Sequence, residues 1–379
     1  MVFNGVVGQR RVKKIFESSL TRDRLAHAYL FHGQTGVGKD AMAVSVAMGL
    51  NCTGKIIGGC GECATCLGMS RLEHPSFQLI LPVPARPKTM KEGKYQEILR
   101  ERAIQWVKNP YQTLSYTPEL TTLPLIGIEQ IRAVKHQVVL KLSGGGYRVI
   151  LISRADRMTS AAANSLLKLL EEPPPRTILF LTTSAPGMLP QTIISRCQVI
   201  RFDFLSEEEI ENALVQRWGV SRANARLIAR MAGGSLQRSL TLIEEGFEQQ
   251  REEAFVFLER SLEGETHWGI DGMGSVSNEK NRVEVQDNLR LLQVWIRDLL
   301  HLRLGLSGGV MNIDRIEKME RFLEKWPDFD AEAGIKCVEQ AIDFIEKNVY
   351  LPLAVFSLSQ DLKKCRRMVD NFYGKDTGN

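Results

Sequence analysis

The segment that most limits the fold is residues 27–40, "HAYLFHGQTGVGKD". A short apolar run enters a glycine-rich loop with the spacing GxxxxGK, at Gly33, Gly38 and Lys39 with Gly36 between, and "DAMAVSVAMGL" follows with helical composition. Strand, loop and helix in that order wrap backbone N–H groups and a helix N-terminus around phosphate oxygens, and the lysine neutralises the outer ones. Further strand candidates are "YRVILIS" (147–153), "TILFLTTSAP" (177–186) and the shorter "CQVIRFDFL" (197–205). The continuous apolar runs of the first two predict strands buried on both faces. Between them, "SAAANSLLKLLEE" (160–172) predicts a helix with Ala163, Leu166, Leu167 and Leu170 as its apolar stripe, stopped by the prolines at 173–175. Strands alternating with helices over about residues 1–205 make this region α/β with a parallel sheet.

The pattern changes after residue 205. Ser206 and Glu209 read as a capping box, and helical segments run to about 263 as a small helical domain. Residues 264–281 are rich in Gly, Ser and polar side chains and read as a linker. From 282 to 379 only helical patterns occur, with a frayed tail expected at 374–379. The stretch 82–124 carries many prolines and basic residues with weak periodicity, and is expected as a surface excursion.

The 379 residues suffice for two or three domains, and 44% hydrophobic with 25% charged residues is an ordinary globular balance. No apolar run approaches the ~18 residues of a membrane span, and "MVFNGVVGQRRVKK" lacks a signal pattern, so a cytoplasmic protein without membrane contact is expected. The net charge of +5 permits nucleic-acid contact without requiring it. Basic runs at 9–14, with Arg22 and Arg24, and at 362–367 are read first as solvated helix faces.

Two departures weigh against nucleotide hydrolysis. The residue after Lys39 in such a loop carries a hydroxyl for magnesium, and here it is Asp40. A carboxylate ~4 Å from a phosphate costs about 4 kcal/mol at an effective dielectric of ~20. Magnesium would relieve this, and the first turn of a helix welcomes a negative side chain. Hydrolysis also needs acids at the end of a second buried strand. The residues after "VILI" are Ser153 and Arg154, and Asp156 falls beyond the strand end. The expectation is no efficient ATP hydrolysis, with nucleotide binding and its magnesium left open.

Four of the seven cysteines, Cys52, Cys60, Cys63 and Cys66, are spaced C-x7-C-x2-C-x2-C. Four thiolates close a tetrahedral zinc site and leave no position for catalysis, so the metal is expected to be structural zinc. Gly58, Gly59 and Gly61 supply the tight turns, and reduced thiols are the alternative. His74 reads as the start of the next strand, and Cys197, Cys337 and Cys365 as isolated packing residues.

"VVGQ", "HAYLFHGQTGVGK", "AAANSLLKLLEEPPP", "LFLTTSAPGMLPQTIISRC" and the cysteine cluster together resemble the bacterial clamp-loader AAA+ subunits, the gamma/tau and delta prime subunits of DNA polymerase III. The resemblance covers about residues 3–239. It implies a RecA-like AAA+ domain (1–205) with a zinc module (52–66), a helical lid (206–263) and an all-helical collar for oligomerisation (282–379). Asp40, Ser153, Arg154 and Gln237 depart from the gamma type. Gln237 stands where that type places a phosphate-sensing arginine, and Arg238 is one residue off, about 100° around a helix. The departures point to the delta prime type, which resembles the motors without hydrolysing ATP. The resemblance further implies that Arg196, in "SRC", is given in trans to a neighbour's nucleotide, and that Thr183 matches a polar sensor. Implied partners are gamma/tau and delta subunits, the sliding clamp within the complex, and primer–template DNA through its backbone. The alternatives are an active gamma/tau-type ATPase and a zinc-bearing AAA+-fold scaffold outside replication.

Overall fold

The structure is a computed structural model describing residues 3, 5–22, 24–138, 146–264, 279–347 and 349–366. It divides into two compact units, Met1–Trp218 with Ala232–Thr241, and Gly219–Met231 with Leu242–Asn379. The expected lid, 206–263, is thus shared between them. Of the expected linker, residues 265–278 lie outside the described residues, as does the tail at 374–379.

The first unit is built on a parallel sheet of β1 (Ala28–His32), β2 (Phe77–Ile80), β3 (Arg148–Ile152), β4 (Thr177–Thr183) and β5 (Gln198–Arg201), in the order β2-β3-β4-β1-β5. Leu30 pairs with Leu181, Ile150 with Leu179, and Phe77 with Val149. Successive side chains point to opposite faces. Tyr29, Phe31 and Phe180 therefore gather on one side around Phe16 of α1 (Arg10–Thr21), with ring centroids 5.1–6.2 Å apart. Leu30, Ile150, Leu179 and Leu181 face the other side, against α5 (Ile128–Val138) and α6 (Ser160–Glu171). β3 and β4 are buried along their whole length because both faces are covered, whereas β5 is an edge strand with only Ile200 buried.

Helix α6 starts where the Thr159 hydroxyl accepts the Ala162 N–H at 3.2 Å, and it stops before the prolines. Its buried stripe is Ala162, Ala163, Leu166, Leu169 and Leu170, while Leu167 is only partly covered. The stripe is therefore wider than the sequence reading and turned by about one residue, because α6 packs on α5 as well as on the sheet.

The stretch 82–124 is more than a surface excursion. Val83 and Leu125 bridge at its base, and it contains α4 (Glu92–Lys108). Met90, Tyr95 and Leu120 form a small core of its own, and the Tyr95 and Tyr116 hydroxyls donate to Pro84 and Pro82 carbonyls at 2.7 and 2.6 Å. Charged residues interrupt the apolar rhythm of α4, which hid the helix from periodicity. The remaining helices of the first unit are α2 (Lys39–Asn51), α3 (Ala64–Ser70), the single turn α7 (Gln191–Ile194) and α8 (Glu207–Trp218). The capping box before α8 forms: the Ser206 N–H donates to Glu209 Oε2 at 3.0 Å and the Glu209 N–H to Ser206 Oγ at 3.1 Å.

The described residues of the second unit are helical, with α9 (Arg222–Met231), α11 (Phe247–Glu263), α12 (Glu279–Arg303), α13 (Ile316–Lys325), α14 (Ala331–Glu346) and α15 (Leu351–Lys364). Helix α10 (Leu236–Glu244) runs from the first unit into the second. Phe255, Trp295, Phe322 and Phe329 form the aromatic core of the second unit. Cys337 and Cys365 are not isolated from each other: their sulfurs lie 3.7 Å apart. Among the described residues, no helix is long and apolar enough to cross a membrane.

Candidate functional site

The glycine loop joins β1 to α2, with φ of 148°, 80° and 102° at Gly33, Gly36 and Gly38. Gly38 is the N-cap of α2, and a Cβ there would lie 2.6 Å from the Tyr111 hydroxyl, so only glycine fits. Lys39 is 6% exposed. Its Nζ turns back to donate to the Gly33 and Gln34 carbonyls at 2.8 and 2.6 Å. Burial lowers its pKa, and the Asp40 and Asp156 carboxylates oppose that shift.

Asp40 occupies the first turn of α2, and its Oδ1 accepts the Thr182 hydroxyl at 2.6 Å. Thr182 Oγ in turn accepts the Arg154 N–H at 3.2 Å. Arg154 follows β3 in the left-handed region at φ 52°, and Ser153 beside it is buried. Asp156 does lie beyond the strand end, in a 3-10 turn, yet it lines the same cavity and accepts the Thr183 hydroxyl at 2.6 Å. Gln237 donates to Thr113 Oγ at 3.0 Å. Lys39, Asp40, Arg154, Asp156 and Gln237 together surround a cavity of about 200 Å³, below the ~300–1,000 Å³ usual for small-molecule sites.

The sequence reading missed the residues that complete this cavity. Trp106, Pro110, Tyr111 and Gln112 enter it from the 82–124 insert. A turn at 109–112, closed by the Gln112 N–H to the Asn109 carbonyl at 3.0 Å, presents Tyr111. The Tyr111 side chain is buried, and its hydroxyl accepts the Val7 N–H at 2.9 Å. The local sequence around Tyr111 carries no signal for a contact 104 residues away.

Arg196 stands apart from that cavity, between the turn α7 and β5. It is about one-third exposed, donates to the Thr192 carbonyl at 2.9 Å and pairs with Glu171 of α6 at 2.7 Å. The following Cys197 is pushed up to about 12 by burial and stays a thiol. In the first basic run, Arg11 pairs with Asp203 at 3.6 Å and Lys13 donates to the Val6 carbonyl at 2.8 Å, so both serve the fold.

Cys52, Cys60, Cys63 and Cys66 lie together after α2, with their sulfurs all within 4.8 Å of one another. Bonds of ~2.3 Å to a tetrahedral zinc put sulfurs about 3.8 Å apart, and Cys60 and Cys66 are at 3.9 Å. The Cys63 N–H points at Cys60 Sγ (3.2 Å) and the Cys66 N–H at Cys63 Sγ (3.5 Å), as they would toward thiolates. Hydrogen bonding, first from Thr53, holds Cys63 down at about 5, while burial pushes Cys66 up to about 12. Four thiolates coexist here only with a cation among them, and the donor set fits a metal. His74 is not part of the cluster. It sits in the turn before β2, where its Nδ1 accepts the Ser76 N–H at 3.2 Å.

A protein-family model described as "DNA polymerase III, delta subunit" matches residues 8–206. The DNA polymerase III subunit delta' of Bacillus subtilis is 30% identical over 319 residues, 83% of this chain and 83% of that protein. The tau subunit of the same organism is 28% identical over 64% of this chain, which spans 37% of its length. The Escherichia coli tau subunit is 30% identical over 64% of the chain, which spans 32% of it.

Proposed function

The chain belongs to the delta prime family of DNA polymerase III subunits, and from that premise we propose that it is a clamp-loader subunit that does not hydrolyse ATP itself but gives Arg196 to a neighbour's nucleotide. The observation that carries this reading is the internal pairing of its phosphate loop. Lys39 is bonded to the loop's own carbonyls, and Asp40 and Asp156 are each held by a threonine. The residues after β3 are Ser153 and Arg154 rather than acids. The loop belongs to the RecA-like AAA+ sheet, as a retained piece of fold.

Arg196 suits the donor role. Its side chain is about one-third exposed, lies outside its own chain's cavity, and is paired with Glu171. A planar fork of donors matches phosphate oxygens better than an ammonium does. An arginine supplied in trans contributes ~10³–10⁵ in rate. The four cysteines would hold a structural zinc ion, which supplies a cross-link through the segment between α2 and α3. Residues 206–263 and 282–379 are assigned as lid and collar, and gamma/tau and delta subunits as partners. The sliding clamp and primer–template DNA follow as partners of the assembled complex.

The test is DNA-stimulated ATPase of a loader reconstituted with gamma/tau-type and delta subunits. Arg196→Ala is expected to lower turnover at least ~100-fold, with Arg196→Lys recovering little of it. Full turnover with Arg196→Ala refutes the role. Turnover by the isolated chain, abolished by Lys39→Ala, would instead make it a gamma/tau-type ATPase.

A further inference from the structure

The cavity at the phosphate loop has a neighbour. A second cavity of about 410 Å³, lined by Ala41, Val44 and Met48 of α2 among others, lies on the far side of Tyr111. The two share Pro110 and Tyr111 as their common wall. The first falls below the ~300–1,000 Å³ usual for a small-molecule site and the second lies within it, and joined they remain within it.

The direction a nucleotide would take is set by the loop. Its outer phosphates would face the carboxyl ends of β3 and β4, where Arg154, Asp156, Thr182 and Thr183 line the cavity. The nucleoside would then extend from the loop on the side of Gly38, where the second cavity begins. That space is occupied: Tyr111 touches Gly38 and takes the Val7 N–H at 2.9 Å. A planar aromatic ring with an acceptor on a backbone N–H is also how a nucleobase would sit there.

The insert is fastened in this position. Thr113, two residues past the tyrosine, accepts Gln237 Nε2 at 3.0 Å and meets Thr241 Oγ at 3.3 Å. Gln237 thus holds the loop that fills the cavity.

We propose that Tyr111 stands in for the base of a nucleoside triphosphate, so that the phosphate loop is a nucleotide site filled from within by the 82–124 insert, and that Asp40 is not what closes it. This rests on the reading that the loop turns no nucleotide over. Its test uses the isolated chain and no partner subunit, so its failure is distinguishable from a failure of the Arg196 assay.

The experiment is titration of the full-length chain with a fluorescent ATP analogue and magnesium. Tyr111→Ala is expected to bind at least 10-fold more tightly than wild type, and Asp40→Thr no more tightly than wild type. Tyr111→Phe, which keeps the ring, is expected to stay closed. p-Cresol should compete with the analogue in Tyr111→Ala by refilling the ring's place. Should Tyr111→Ala fail to fold, the unlatching pair Thr113→Val with Gln237→Ala, both at exposed bonds, is expected to raise affinity several-fold. A folded Tyr111→Ala with wild-type affinity overturns the proposal, and so does tight binding by Asp40→Thr alone. In the fallback case, an unchanged affinity of the unlatched protein overturns it too.

Discussion

Arg251 and Asp314 in the second unit should respond unequally to removal of either partner. Arg251 is buried against Trp295, its guanidinium carbon 5.5 Å from the ring centroid. It donates from Nε to Asn312 Oδ1 (2.8 Å), from Nη1 to Asn224 Oδ1 (2.9 Å), and from Nη1 and Nη2 to both Asp314 oxygens (3.1 and 2.6 Å). Asp314 is 37% exposed. Asp314→Ala leaves a buried guanidinium without its main counter-charge, a change that costs about 3–5 kcal/mol. Glu248, 3.8 Å from Nη1, keeps the cost toward the lower end. Arg251→Met keeps the apolar stem, and water can reach the half-exposed Asp314. Its cost is chiefly the buried Asn312 oxygen left without a donor, about 2 kcal/mol. Asp314→Ala should therefore be the more damaging by about 1 kcal/mol, and the double variant should resemble Arg251→Met alone. Hydrogen exchange of α11 amides measures this for the second unit by itself, which matters because a chain of two units need not unfold in one step. Equal costs, or a larger cost for Arg251→Met, would refute the assignment of the charge as the buried liability.

Three further outcomes follow from the geometry. Burial raises the Asp314 pKa, but the hydrogen bonds and charge of Arg251 outweigh it and hold the carboxyl below its ordinary value. That stability is present above the unfolded value of ~3.9 and is lost as pH falls through the lower folded value. Acidification below about pH 4 should weaken α11 exchange protection, with a flatter slope in Arg251→Met. Asp298, fully buried, accepts the Met311 and Asn312 N–H groups (3.0 and 2.7 Å) and Asn312 Nδ2 (2.7 Å). Asp298→Ala strands all three donors at about 1–3 kcal/mol each, and Asp298→Asn should cost less in urea denaturation. Elemental analysis should find one zinc per chain, lost in Cys66→Ser together with exchange protection over 52–66.

What was legible in the sequence was what short stretches encode. The β3 and β4 runs announce themselves because both faces are covered by one chain segment after another. The four cysteines are legible because their ligands fall within fifteen residues. The α6 stripe was off by a residue because its packing includes α5, which its own periodicity does not record. Tyr111 was invisible for a stronger reason. Its place depends on a helix interrupted by charge, on a turn at 109–112 and on Val7, and no local pattern links these three. The Cys337–Cys365 contact was hidden likewise, since two helices bring it together across 28 residues.

Two of the departures at the phosphate loop, Asp40 and Arg154, are joined through Thr182, and a second bonded group forms beside them around Thr183. Thr182 donates to Asp40 and accepts from Arg154, while Thr183 donates to Asp156 and accepts the Ala185 N–H at 3.0 Å. Asp40 thereby supplies the acceptor for a threonine that is 1% exposed. Replacing Asp40 alone by a hydroxyl residue removes that charged acceptor from a buried donor and restores no acid after β3. In a site of low dielectric, a half-satisfied network is worse than a complete one. A single reversion at position 40 is therefore expected to loosen the site before it restores any chemistry. Effects of groups that act as a unit do not add, so on the proposed reading turnover is expected only with the strand-end acid, the magnesium hydroxyl and the displacement of Tyr111 together.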